Sequence, residues 1–299
     1  MKTKLNYMSK LAMLFLMFTT AVYSQSITNK LGTNGLFTIK DSATNYFTLN
    51  QTTGHVNILK NLRLENTTGS GVGTIFKGAD RFLHNFGTYN TFLGSGSGNF
   101  SMIGNSNTAV GFQSLYNNTT GSSNTAVGYH SLVTNTAGSS NTAMGFQSLT
   151  FNTTGSQNTA LGFHSLIINS TGSQNSAVGQ DALYNNTSGN SNTALGYQSL
   201  FFTNTGSSNT AVRFNSLYSN SLGNYNTAMG YSTGSNVTTG GNLTLIGHNA
   251  EPTSGSANNQ ITLGNNQITS LRCNVQTISS LSDAEIKRIL KIFHSDLIF

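Results

Sequence analysis

Charge is what this chain has least of. Only 7% of its residues are Asp, Glu, Lys or Arg, against about 25% in typical globular proteins. From Gly94 to Gly264 the charged residues are Asp181, Arg213 and Glu251 and no others. That leaves no basic stripe for nucleic acid and no paired carboxylates for glycoside hydrolysis by the usual route. Cys273 is the single cysteine, so no internal disulfide is expected. An apolar run from Leu11 to Val22 follows Lys2, Lys4 and Lys10, but it is shorter than the ~20 residues that span a bilayer. A basic start, a short apolar stretch and small or apolar residues before a cut describe a secretory signal peptide, residues 1–24. Its removal takes three of the 14 basic residues and none of the eight acidic ones, so the net charge falls from +6 to +3. The expectation is a chain that is secreted or held at a bacterial cell surface, with no membrane span once the signal is gone.

Proline occurs once and tryptophan never, while there are 32 glycines among many Asn, Ser and Thr residues. Such a composition can mean disorder. Here, however, the hydrophobic 36% falls at fixed places. GSSNTAVGYHSL at Gly121 returns as GSSNTAMGFQSL at Gly138 and GSQNTALGFHSL at Gly155. The closing glycine of Asn-Thr-Ala-Val-Gly recurs at Gly94, Gly111, Gly128, Gly145, Gly162, Gly179, Gly196, Gly230, Gly247 and Gly264. Each step is 17 residues, with Arg213 standing where one glycine is due. A constant short period signals a solenoid, and Gly, Asn, Ser and Thr disfavour helix interiors. The spacing predicts an all-β solenoid of 17-residue coils, each with two short strands and two turns. At ~4.8 Å per coil, the eleven marker positions make a rod on the order of 50 Å long.

The columns assign a predicted core. One is Val110, Val127, Met144, Leu161, Val178, Leu195, Val212 and Met229, sharing a face with the Thr column two residues earlier. We read that face as inward and the alanines between, Ala109 to Ala228, as outward. The second core column is Leu115, Leu132, Leu149, Leu166, Leu183, Leu200 and Leu217, placed on the second strand. Gly121, Gly138 and their equivalents are expected to supply positive φ in a turn. The column of Asn107, Asn124, Asn141 and successors can form a hydrogen-bonded ladder. So thin a core calls for partner chains, with the alanine face and the aromatic column (Phe112, Tyr129, Phe146, Phe163, Tyr197, Phe214, Tyr231) as contact surfaces. Arg213 costs about 1 kcal/mol if its position needs positive φ.

Asn124-Thr125-Ala126-Val127-Gly128 resembles the Ser-Val-Ala-Ile-Gly core of trimeric autotransporter adhesin heads, and Asn259 to Asn265 looks like the end of such a head. The 17-residue version is similar to secreted tail-fibre-like repeat proteins of Bacteroidetes. The resemblance covers roughly Gly71 to Ala284. It implies a left-handed parallel β-roll, a homotrimer and a non-catalytic fibre or adhesin-like head. It also implies that the tail opens an endosialidase-type intramolecular chaperone domain, with Ser282 and Lys287 near the family's cleavage positions. Glu285 replaces the expected basic residue, and only the truncated start of such a domain is present, so a defunct copy is one reading. A slip of reading frame in an A-rich run near Lys287 would account for it. Read as it stands, Ser282 and Glu285 form a capping box, and Ile286, Ile289, Leu290, Phe293 and Leu297 follow helical spacing.

The organisation expected is a signal peptide (1–24), an N-terminal β region (25–85), the β-roll (86–265), a neck strand (266–281) and a short helix (282–299). His130 and His164 share a column but lie two coils apart, roughly 9.6 Å, too far for one metal. Serine is so frequent that a Ser–His pairing has no meaning without geometry, and the glycines follow no phosphate-loop pattern. Asn118-Thr119-Thr120 matches a glycosylation sequon that composition alone would generate. No catalytic residue, metal or cofactor is expected, and the binding residues are unknown. A surface glycan or protein receptor is the external partner that fits, and nucleic acid does not. The alternative function is a soluble ice- or crystal-binding β-solenoid.

Overall fold

The structure is a computed structural model and describes residues 36–40, 45–50, 56–58 and 73–270. The signal peptide, Cys273, Ser282, Lys287, the C-terminal helix and most of the neck lie outside them. Contacts divide the chain into two units, residues 1–63 and 64–299. In the first, β1 (Leu36–Lys40), β2 (Asn45–Asn50) and β3 (Val56–Ile58) form an antiparallel sheet in chain order.

The second unit is the solenoid. Its 13-stranded sheet runs in chain order. It begins with β4 (Ile75–Lys77) and β5 (Asp80–His84), paired antiparallel, and β5 pairs antiparallel with β6 (Thr91–Leu93). From β6 onward every pairing is parallel. One three-residue strand follows per coil, from Thr108–Val110 through to Thr244–Ile246 and Ile261–Leu263. Register is direct, so each residue faces its equivalent 17 positions on: Thr125 pairs Thr142, Ala126 pairs Ala143 and Val127 pairs Met144.

The strand faces are the reverse of the sequence expectation. Ala109, Ala126, Ala143, Ala160, Ala177, Ala211 and Ala228 are fully buried, whereas the Thr and Val columns point outward. Met144, Leu195 and Met229 are nearly half exposed. Alternation separates two faces without saying which is inward. The lumen is narrow, and alanine lets the opposite wall come close while leucine fills the remaining width.

Leu115, Leu132, Leu149, Leu166, Leu183, Leu200 and Leu217 are fully buried, but they do not sit on a second strand. They lie in a turn where alternate residues take left-handed φ, such as Gln113 (53°) and Leu115 (52°). This alternation aims successive amides up and down the axis. Gln113 N–H donates to Ser95 O on the coil before, and Leu115 N–H donates to Ser131 O on the coil after. The turn is thus bonded between coils as a strand would be.

The two glycine columns also trade roles. Gly121 and Gly138 are not left-handed. They are glycines because a Cβ on Gly138 would overlap Gly155 O and Asn135 Oδ1. Positive φ belongs to the marker glycines, +129° to +142° from Gly111 to Gly196.

Two asparagine ladders run through the core. In the expected one, Asn124 N–H donates to Asn107 Oδ1 (3.0 Å), and Asn124 Nδ2 reaches across to Gly138 O (2.9 Å). The second was not read from the sequence. Asn135, Asn152, Asn169 and Asn186 each donate Nδ2 to the Oδ1 of the previous coil's Asn at 2.7 Å, starting from Asn118. Asn118 is fully buried, so its sequon is not presented to solvent.

His84 closes the first coil. It is 3% exposed, between Phe92 (4.8 Å) and Phe100 (4.9 Å). Its Nε2 meets Ser97 O at 2.8 Å, and Phe86 N–H points at its Nδ1 at 3.4 Å. A carbonyl can only accept, so Nε2 carries the proton and Nδ1 is the acceptor. Burial pushes the imidazole pKa below its ordinary 6.5; the Ser97 carbonyl opposes this and Arg81 adds to it.

Candidate interaction face

The outward strand face is built from five consecutive positions in each coil. In the second full coil these are Thr125, Ala126, Val127, Gly128 and Tyr129. Ala turns in, Thr and Val turn out, and the glycine lets the chain change direction with an aromatic ring at the corner. Repetition makes three parallel ridges: Thr, Val or its equivalent, and aromatic. Between the last two lies a trough floored by the marker glycines, which are partly exposed from Gly111 to Gly196.

The rings form a ladder. Phe112, Tyr129, Phe146 and Phe163 stack with centroids 5.0–5.4 Å apart and planes within 13°. Gln180 interrupts it, and Tyr197, Phe214 and Tyr231 resume it at 4.9–5.2 Å. His248 stacks on Tyr231 at 5.5 Å. Tyr129, Phe146, Phe214 and Tyr231 spend both faces on stacked neighbours and show their edges to solvent, whereas Phe112, Phe163 and Tyr197 stack on one ladder neighbour each. A second, shorter ladder of Tyr184, Phe201 and Tyr218 rises from the buried turn (5.0 and 5.3 Å).

His130 and His164 do share a column, next to the aromatic ladder. His130 packs on Tyr129 at 4.0 Å, and its Nε2 has no hydrogen-bond partner. His164 Nε2 lies 2.9 Å from Gln147 Oε1, and its Nδ1 lies 3.6 Å from Asp181 Oδ1. Asp181 follows His164 by 17 residues, a pairing that the period made legible but that the sequence reading missed. Gln147, His164 and Asp181 form a chain across three coils rather than a convergent site. Among the described residues no three His, Cys, Asp or Glu side chains come together to hold a metal.

Arg213 occupies the trough floor with φ 96° and is exposed. Arg213 and Val212 line one end of a groove of about 500 Å³ that runs on between Met229 and Ile246 on one side and Tyr231 and His248 on the other. The alanine column, expected as a contact surface, is inside and cannot serve. The repeat-core residues Val110, Val127, Met144, Leu161, Val178, Leu195, Val212 and Met229 stand on the outward ridge instead. No protein-family model, curated protein or solved structure matches the chain.

Proposed function

We propose that the chain is a non-catalytic structural module of a bacterial surface fibre, assembled as a homotrimer and presenting identical polar columns to a receptor. The observation that carries this reading is the outward apolar ridge and aromatic ladder, repeated coil after coil with almost no charge. Exposed apolar patches beyond a few hundred Å² are uncommon on soluble monomers and mark interaction surfaces. Seven large aromatic side chains in one column are each 37–45% exposed, so the exposed apolar surface runs along one column rather than being scattered singly. The remaining faces repeat Thr, Ser and Asn at strand spacing, so each weak contact to a repetitive ligand recurs and adds avidity. Light scattering on the full chain tests this. A heat-resistant trimer is expected, and a monodisperse monomer would refute it.

A second reading gains from the direction of the threonines. Thr108, Thr125, Thr142, Thr159, Thr193, Thr210 and Thr227 point outward from a charge-poor parallel sheet, with the Val ridge beside them. A regular Thr and Val lattice at strand spacing is a surface that an ice- or crystal-binding protein could use. Thermal hysteresis of a monomeric preparation would support it, and a trimer without hysteresis excludes it.

A further inference from the structure

The outward strip is not the same along its length. Over the seven coils marked Gly94 to Gly196, the trough floor is glycine at every coil. The one charge in that span, Asp181, is 9% exposed and held by His164 and Gln180. At the next coil the floor residue is Arg213, an exposed cation in a left-handed backbone conformation.

Three features identify what covers the strip. Its ridges repeat at one strand spacing, ~4.8 Å, and a second copy of this chain carries ridges of the same period. Within the strip Tyr129 and Phe146 have rings on both faces, and Phe112, Phe163 and Tyr197 each stack on one ladder neighbour, so a row of sugar rings finds no continuous stacking platform. The area also suits a protein partner. Five residues at ~3.3 Å and seven coils at ~4.8 Å give on the order of 550 Å² of flat face, before interdigitation, against ~800 Å² per partner in a standard interface.

Arg213 is incompatible with the same packing. Its side chain stands in the trough where a ridge would seat. A second copy also brings it no free carboxylate from the repeat. Asp181 is engaged as above, and Glu251 accepts hydrogen bonds from Ser235 N–H, Ser235 Oγ and Asn236 N–H. An unpaired guanidinium buried in an apolar interface is strongly unfavourable. We propose that copies of this chain pack through the strip from Gly94 to Gly196 and that Arg213 ends this contact, leaving uncovered the groove that Arg213 itself lines. The inference rests on the self-association proposed above and adds where it starts and stops.

The chain contains its own matched reporters. Met144 and Met229 occupy the same column on either side of Arg213, 46% and 47% exposed in the single chain. Hydroxyl-radical footprinting of the assembled full chain should find Met144 oxidised several-fold more slowly than Met229. Met229 should react as it does in a dissociated chain. Arg213→Gly should extend protection to Met229. Val127→Arg, an outward substitution within the strip, should dissociate the assembly with the circular dichroism unchanged. Equal protection of both methionines in the natural chain would overturn the role of Arg213. Equal reactivity in an assembly of confirmed mass, or an assembly that survives Val127→Arg, would overturn the strip as the interface. A monomeric mass would defeat the self-association reading itself, which light scattering reports separately.

Discussion

Asn186 and Thr203 hold the same buried position on adjacent coils, and Asn186 Oδ1 and Thr203 Oγ1 both lack a hydrogen-bond partner. The ladder that reaches Asn186 at 2.7 Å per rung stops there. Threonine has no side-chain amide, and its hydroxyl makes no hydrogen bond to the rung below. Leaving a buried acceptor unmatched costs about 1–3 kcal/mol. Thr203→Asn should therefore complete the ladder and stabilise the solenoid by about 1–3 kcal/mol, read as a higher denaturation midpoint. No gain would mean that the two orphaned atoms find partners in solution.

Arg213 sits at φ 96° in a column whose other members are glycines at positive φ. An L-residue in left-handed conformations costs roughly 1–2 kcal/mol. Arg213→Gly should recover about 1 kcal/mol of unfolding free energy. Measured at concentrations where the chain is monomeric, this gain is separate from any change in assembly.

His84 links the first coil to pH. Its folded pKa lies below 6.5, with burial the main cause, so the unfolded chain takes up the proton first. Stability is then fully present above about 6.5 and declines as pH falls toward the folded pKa. Protonation also puts a second N–H opposite Phe86 N–H. His84→Gln should flatten this slope in urea titrations between pH 7 and pH 5. An unchanged slope would place the titration elsewhere.

The direction of the strand faces can be checked without a structure. Ala160 is fully buried, and Val178 stands outward on the next coil. Ala160→Val should overpack the lumen and cost about 1–3 kcal/mol. Val178→Ala should change monomer stability by less than about 0.5 kcal/mol. The opposite ranking would restore the inward valine.

The 17-residue period was fully legible, because repetition is visible without knowing any contact. It placed one strand in each coil, the buried leucine column and the first asparagine ladder, but it expected a second strand per coil where the structure has a turn. The face assignment failed for a physical reason. Thr-Ala-Val says that Ala opposes the other two, and hydrophobicity alone favours Val inside, but lumen width decides, and width is set by how the turn brings Leu115 and its equivalents inward. The turn itself was misread because left-handed φ at leucine and glutamine has no signal in residue type. The glycine columns likewise look alike in sequence, although one answers to backbone angle and the other to the neighbouring coil's carbonyl. At the interaction face, the aromatic column could be named in advance, whereas the trough beside it needed the outward turn of the Val column.

Direct register has a consequence for the history of such a chain. Because every residue pairs with its counterpart 17 positions on, excising or duplicating any whole block of 17 rejoins like with like. The columns close over the junction, and neither end of the solenoid senses the change. Length is therefore a quantity that recombination within the gene can adjust one coil at a time, each event adding or removing ~4.8 Å. Energetic contributions from such nearly identical neighbours sum along the axis, so related chains of different coil number should differ in reach and endurance while sharing one surface.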